Sequence, residues 1–189
     1  MREQVQIMQN ENRLTSGEML RRAMRHWVTG VAVATSRLGD ITHGMTVNSF
    51  ISISIEPPLV TVAMNNDTRT LRLVEQSGIF AVTMLSLAQQ PLAELFAGRL
   101  PDSDDRMNGL DTFELVTGAP LLHGGVAFVD CQVVGRHPLP LSTLFIGEVL
   151  AAQTAGDRMA PGEIAAPDRV EVEPPPLVYY HRRFTRLRD

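Results

Sequence analysis

Between Gly30 and Leu85 the chain passes through five short apolar stretches, GVAVATS, DITHGMTV, SFISISI, LVTVAM and IFAVTML. Their length and β-branched content are those of strands, and no helix of ordinary length fits between their turn signals. The first two flank Leu38-Gly39-Asp40, a hairpin pattern. SFISISI sets Phe50, Ile51, Ile53 and Ile55 against serines, which predicts one apolar and one hydroxyl face. Pro57-Pro58 ends it, because proline cannot donate to a ladder. Two further strands, FVDCQVVGRHP and STLFIGEVLAAQT, are joined by a proline-rich turn, and LVYYHRRFTRL reads as a strand-like tail. Helical spacing is confined to three windows. The first covers 17–28, with Leu20, Ala23, Met24 and Trp27 in phase, Ser16 as cap, Glu18 in the first turn and Gly30 as stop. The second covers 68–76, with Leu71 and Val74, and stops at Gly78. The third covers 87–100, with Leu92, Leu95 and Phe96 inward. PDSDDRMNGLDTFEL reads as a polar loop. This order predicts a mainly β fold, an antiparallel barrel with a few short helices, over a doubly wound sheet.

A chain of 189 residues with 44% apolar content can fill the core of such a barrel. The expectation is a single domain over 1–189, with a polar extension at 1–15 and an exposed Pro/Gly-rich loop at 155–176. A net charge of -4 offers no basic footprint for nucleic acid or anionic lipid. No apolar run reaches the roughly 18 residues of a membrane span, and MREQVQIMQNENRLTS lacks the apolar segment of a secretory signal. The single cysteine, Cys131, excludes an intrachain disulfide and fits a reducing cytoplasm. Its place in FVDCQVV marks it as a buried small hydrophobe.

Few residues offer acid–base chemistry. Of the five histidines none is paired with another at metal-ligand spacing. There is no GxSxG, Cys131 lacks a neighbouring base, and no GxGxxG fingerprint is present. The polar groups that do cluster are of another kind. NNDTRTLRL places Asn65, Thr68, Arg69 and Thr70 where a strand turns into a helix. A helix's first N–H groups are unpaired and attract phosphate, and two hydroxyls and a guanidinium would complete an anion site. The simpler reading is that Asp67 or Thr68 only caps the helix. In the tail, Tyr179 and Tyr180 beside His181 and Arg183 could stack on a planar ring and meet phosphate; a solvated chain end is the alternative. Hydroxyls, amides and a phosphate-type turn without a general base suit a protein whose cofactor carries the chemistry.

With those residues read, the chain resembles the flavin reductase-like family, the short-chain FMN-binding split barrels. The matching blocks run in family order over most of the chain: RRAMRHWVTGVAVATS, HGMTVNSFISISIEPPLV, VAMNNDTRTLRLVEQSGIFAVTML, LAELFAGR, DRMNGL, CQVVGRHP, TLFIGEV and PLVYYHRRFTRL. The resemblance implies a split β-barrel that works as a homodimer, with the flavin near the subunit interface. It implies that Thr46, Val47, Asn48 and Ser49 meet the isoalloxazine ring and that Ala63, Met64, Asn65 and the Thr68-Arg69-Thr70 turn take the ribityl chain and phosphate; Tyr180, His181 and Arg183 of the tail are the candidates for the nicotinamide side. The implied activity is hydride transfer from NADH or NADPH to FMN or FAD, with reduced flavin passed to a separate monooxygenase. No residue is assigned a catalytic proton transfer, and no metal is expected. Two departures stand out. Where the family reads Gly-Asp-His, this chain has Pro140, Leu141 and Ser142, and its tail carries Arg182-Arg183-Phe184 in place of a Gly-Arg-Tyr pattern. The first departure motivates an alternative, a flavin held as a prosthetic group for another substrate or acceptor, or simply carried.

Overall fold

The computed structural model describes residues 15–98, 106–157 and 174–187. Helix α1 (Ser16–Met24) is followed by β1 (Thr29–Gly30), β2 (Ala32–Leu38), β3 (Ile41–Val47), β4 (Ile51–Ser54) and β5 (Leu59–Asn65). Helix α2 (Arg69–Ser77), β6 (Ile79–Met84), α3 (Gln90–Phe96), β7 (Thr112–Phe113) and β8 (Leu121–Leu122) come next. The long strands β9 (Ala127–Pro138) and β10 (Ser142–Thr154) and the short β11 (Val178–Tyr180) and β12 (Arg183–Thr185) complete the order.

Seven strands form one antiparallel sheet in the order β3-β2-β6-β9-β10-β5-β4. Two register shifts in the β9–β10 ladder, at Ile146/Gly147 and Val149/Ala151, bend its longest strands, since an extra residue adds twist. Gly147 permits the close approach at the bend: a Cβ there would lie 2.5 Å from the Phe80 ring. The sheet curls until β3 lies beside β5, and the Thr68 hydroxyl reaches Met45 Sδ at 3.7 Å. No ladder joins β3 to β5 among the described residues, so the expected antiparallel barrel is open along that seam.

Strand β2 is buried on both faces. Ala32 and Ala34 join one core with Val62, Met64, Phe80, Val82, Cys131 and Phe145. Val33, preceded by Val31, joins a second core with Leu85, Ala93, Phe96, Leu122 and Leu177. The period-two geometry of a strand sends alternate residues to the two cores, and each fully buried large side chain contributes about 1.5–3 kcal/mol.

Several boundaries differ from expectation. Helix α1 is capped by Thr15, not Ser16: the Thr15 hydroxyl accepts the Glu18 N–H at 3.3 Å, and Glu18 Oε2 accepts the Thr15 N–H at 2.8 Å. That reciprocal box outcompetes a one-residue shift, and the helix ends at Met24, short of Val28. None of its residues is buried. Helix α3 stops at Phe96 because Gly98 turns left-handed at φ +69. SFISISI supplies only a four-residue strand, and neither face of β4 is covered within the chain: Ile51 and Ile53 are 59% and 49% exposed, and Ile55 just beyond is 84% exposed. The tail is a tight hairpin, β11 and β12 turning through His181 and Arg182, in place of one strand. Most of the expected loop at 155–176 and the extension at 1–15 lie outside the described residues.

Candidate functional site

Two clefts lie around the end of β3, and neighbouring residues of that strand serve them: Thr46 borders the smaller, Val47 the larger.

The smaller cleft encloses about 490 Å³ at the N-terminus of α2. The β5–α2 turn is built by local hydrogen bonds. Asn65 Oδ1 accepts the Asp67 N–H at 2.9 Å, and the Thr68 hydroxyl donates to the Asn65 carbonyl at 2.7 Å while accepting the Leu71 N–H at 3.4 Å. Of the two cap candidates, Thr68 is the one that caps. Arg69, exposed, and Thr70, buried, follow on the first turn. The Thr70 hydroxyl is fixed by His43 Nδ1 at 2.8 Å. Thr46 lies on the opposite wall and donates its hydroxyl to the Ala93 carbonyl at 2.7 Å. Gly44 stands at the base because Phe96 presses on it; a Cβ there would lie 3.0 Å from the ring. Arg106 enters from beyond α3, its guanidinium above Gly98. Among the described residues the cleft thus collects Arg69, Arg106, His43 and three threonine hydroxyls against one carboxylate, Asp67. Helix N–H groups, guanidinium groups and hydroxyls are the donor set of a phosphate site.

The larger cleft encloses about 1040 Å³ and is mostly apolar. Its floor is small or β-branched (Gly30, Val31, Ala32, Val47), and its polar edge is Asn48, Ser49 and Ser52. Ser49 is held in place: its hydroxyl donates to the Ala63 carbonyl at 2.8 Å and accepts the Ala63 N–H at 3.1 Å. That pair of bonds ties the β3–β4 connection to β5. Met24 and Trp27 from the end of α1 and Tyr179, His181 and Arg182 from the C-terminal hairpin close the remaining sides. A wall of small residues beside fixed polar groups accepts a flat heteroaromatic ring, which needs close backbone approach and a few directed hydrogen bonds.

Of the thirteen residues named from the sequence, Thr46, Asn65, Thr68, Arg69 and Thr70 gather in the smaller cleft, and Val47, Asn48, Ser49 and His181 line the larger. Ala63 contributes backbone to Ser49. Met64 borders neither cleft, since strand alternation turns its side chain fully into the core. Tyr180 and Arg183 border neither cleft; the hairpin turn presents Tyr179 and Arg182 to the cavity in their stead. His43, Arg106, Trp27, Arg21 and Arg25 were not singled out by sequence. Each lies in a block that matches the family, Arg106 in DRMNGL, His43 in HGMTVNSF and Arg21, Arg25 and Trp27 in RRAMRHW, but packing is what brings them to the clefts.

The remaining reactive groups lie elsewhere. Burial, with the neighbouring Asp130 carboxylate adding to it, pushes the Cys131 thiol up to about 12. Such a thiol is neutral and inert at ordinary pH. Asp130 is itself buried and accepts the Val116 and Thr117 N–H groups, both at 2.7 Å. No group of three or more potential metal ligands occurs among the described residues. No helix among them is long and apolar enough to cross a membrane. The β9–β10 turn, where the family reads Gly-Asp-His, is clamped by Asn66, which donates to the carbonyls of Leu139 (2.9 Å) and Leu141 (3.2 Å).

Comparison with known proteins places this geometry. The model of the flavin reductase like domain matches residues 24–188. An actinorhodin polyketide dimerase of Streptomyces coelicolor is 34% identical over 170 residues, covering 89% of this chain and 85% of its own. An NADH-dependent flavin reductase of Rhodococcus is 33% identical over 133 residues, 69% of this chain and 73% of its own. The solved structure of the flavin reductase PheA2 superposes with a TM-score of 0.75 at 32% identity, over 90% of this chain and 97% of that one.

Proposed function

This chain belongs to the flavin reductase-like family, and from that premise we propose that it is an NAD(P)H-dependent flavin reductase acting on FMN or FAD. The observation that carries the reading is the pairing of the two clefts on either side of Thr46 and Val47: one suited to a phosphate, the other to a flat ring. Arg69, Thr68, Thr70, Arg106 and His43 would hold the phosphate. Asn48 and Ser49 would meet the ring edge, with Asn65 and the Ala63 backbone between the two ends. A bound flavin supplies the hydride acceptor, which no side chain of this protein can provide. The chain's own part is to bind, to align and to exclude water. The Ser49–Ala63 bonds preset the ring's polar edge, and the apolar walls strip solvent from the reacting face. With no acid–base group needed, the absence of the family's Asp and His from Pro140, Leu141 and Ser142 bears on nicotinamide docking and leaves the chemical step intact.

The proposal extends to assembly and context. Ile51, Ile53 and Ile55 on and just beyond β4, and Met19 and Leu20 on α1, are exposed large apolar side chains, and a second copy covering β4 and α1 would bury them. Sedimentation is expected to show a dimer that Ile53→Asp converts to monomer; a monomeric parent protein refutes the assembly. One domain in the cytoplasm, where NAD(P)H is available, delivering reduced flavin to a flavin-dependent monooxygenase, is the setting this chemistry implies.

The testing experiment is stopped-flow absorbance at the oxidised-flavin band, with FMN or FAD and NADH or NADPH in each pairing. Fast bleaching that depends on added flavin supports the reductase. A second reading rests on the 34% identity to a polyketide dimerase and on the replaced turn: a flavin retained as a prosthetic group for another substrate. Flavin that stays bound and is not bleached by either nucleotide favours that reading.

A further inference from the structure

The mouth of the larger cleft is positively charged on one side only. Arg21, Arg25 and Arg182 line it, and no carboxylate does so among the described residues. Glu18, the acid on α1, is engaged in capping bonds with Thr15, and its carboxylate also interacts electrostatically with Arg21. Arg21 and Arg25 lie one helical turn apart and share a face of α1. Arg182 comes from the far end of the chain, and two contacts carry it there. The His181 N–H donates to the Arg25 carbonyl at 3.1 Å, and His181 Nε2 lies 3.3 Å from His26 Nδ1. Two segments separated by 155 positions are thereby joined at the rim.

Backbone conformation is a second, independent sign. His181 and Arg182 both adopt positive φ, 50 and 63, between the paired residues Tyr180 and Arg183. A two-residue hairpin turn of this kind favours Asn-Gly, whose backbones enter that region easily. A sequence serving only the turn has no reason to place His-Arg there. Residues held against backbone preference concentrate where side chains have work with a ligand.

We infer that Arg21, Arg25 and Arg182 form a second anion subsite, distinct from the α2 cleft, which takes a phosphate of the nucleotide co-substrate. This rests on the reductase reading above for the identity of the ligand, an adenylyl dinucleotide. The shared chemistry has two sources: the pyrophosphate found in every such dinucleotide and the 2′-phosphate that NADPH alone carries. Guanidinium groups suit either one. The apolar remainder of the cleft is large enough to accept a second ring beside the flavin's.

The chain's one tryptophan, Trp27, lines the same cleft, so its fluorescence reports occupancy in the full-length protein without added flavin. The probes are adenosine, ADP and adenosine 2′,5′-bisphosphate. Phosphorylated probes are expected to quench at concentrations roughly tenfold below adenosine, charge-assisted hydrogen bonds being the strong ones. Quenching by them should weaken in about 0.5 M salt, where charges are screened within a few ångströms. Arg21→Gln and Arg182→Gly are each expected to weaken their binding about fivefold, the effect of losing one partly exposed charge. Glycine suits the positive φ at 182, so Arg182→Gly should melt no lower than the parent protein, and a loss of binding there is no folding defect. Preference for the bisphosphate assigns the rim to the 2′-phosphate; ADP binding equally well assigns it to the pyrophosphate. Adenosine binding as tightly as both, or undiminished binding in both variants, overturns the subsite. Flavin bleaching by NAD(P)H on the same samples separates the two claims. Bleaching without phosphate preference keeps the reductase and rejects the subsite, and phosphate-dependent quenching without bleaching does the reverse.

Discussion

The two clefts were made in different ways. The smaller depends on a continuous turn: Asn65 to Thr70 place a cap, a guanidinium and a helix N-terminus within six residues, and local hydrogen bonds hold them. The rest of its lining, His43 to Thr46, Phe96 and Arg106 included, arrives from elsewhere. The larger has no such nucleus. Its walls come from α1, β1, the β3–β4 connection and the C-terminal hairpin, segments that meet only after the sheet has curled. A site written in one turn tolerates change in distant packing. A site assembled from four segments depends on every joint between them, and Ser49–Ala63 and His181–Arg25 are two of those joints.

Phe96→Ala gives the largest expected effect, because Phe96 is buried in the second core, forms a wall of the smaller cleft and packs on Gly44. Loss of about 3–5 kcal/mol of stability is expected, as for other buried aromatic truncations. Chemical denaturation measures it, and an unchanged midpoint would mean that α3 is not supporting the cleft. Next, Arg69→Ala should weaken FMN binding by roughly 1.5–3 kcal/mol, the range for bonds to charged groups, while ADP quenching of Trp27 in the larger cleft stays the same. Equal losses in both titrations would show that the clefts do not act separately.

Cys131 belongs to neither cleft and serves as the control. Cys131→Ser buries a hydroxyl in place of a thiol and should remove about 1–2 kcal/mol of stability, with turnover per folded molecule intact; a collapse of turnover would bring a thiol into the mechanism. The thiol also sets a pH dependence. Its folded value of about 12 lies above the ordinary 9.0. The folded state therefore holds the proton more tightly, and this contribution is full below pH 9 and lost as pH rises from there toward 12. Denaturation midpoints across that range should fall more steeply for the parent protein than for Cys131→Ser. The smallest effect is expected for Thr68→Ala, about 1 kcal/mol from the lost cap, read by thermal melting; no change would make Thr68 dispensable to the turn.

Much of this fold was legible because its signals are local. GVAVATS and DITHGMTV became β2 and β3 around Gly39, and α2 stopped at Gly78 in its left-handed conformation. The failures came where a signal described a pattern and said nothing of what covers it. SFISISI alternates and predicts one buried face, yet β4 is buried on neither, whereas the unbroken run GVAVATS gives β2, buried on both. Helix α1 repeats the lesson, with an apolar stripe and no buried residue. In the tail, Tyr180 and Arg183 were as plausible as Tyr179 and Arg182 until a two-residue turn decided which pair meets the cavity.

By itself the sequence determined most of the strand and helix menu and the capped turn from Asn65 to Thr70, because each depends on neighbouring residues, and the family, because eight blocks recur in order along the chain. Tertiary structure alone decided that Met64 serves the core, that Arg106 and His43 join the smaller cleft, and that arginines from opposite ends of the chain share one rim. Those outcomes depend on how far the sheet curls, to which the register shifts that leave Val134 and Leu150 unpaired in the β9–β10 ladder contribute.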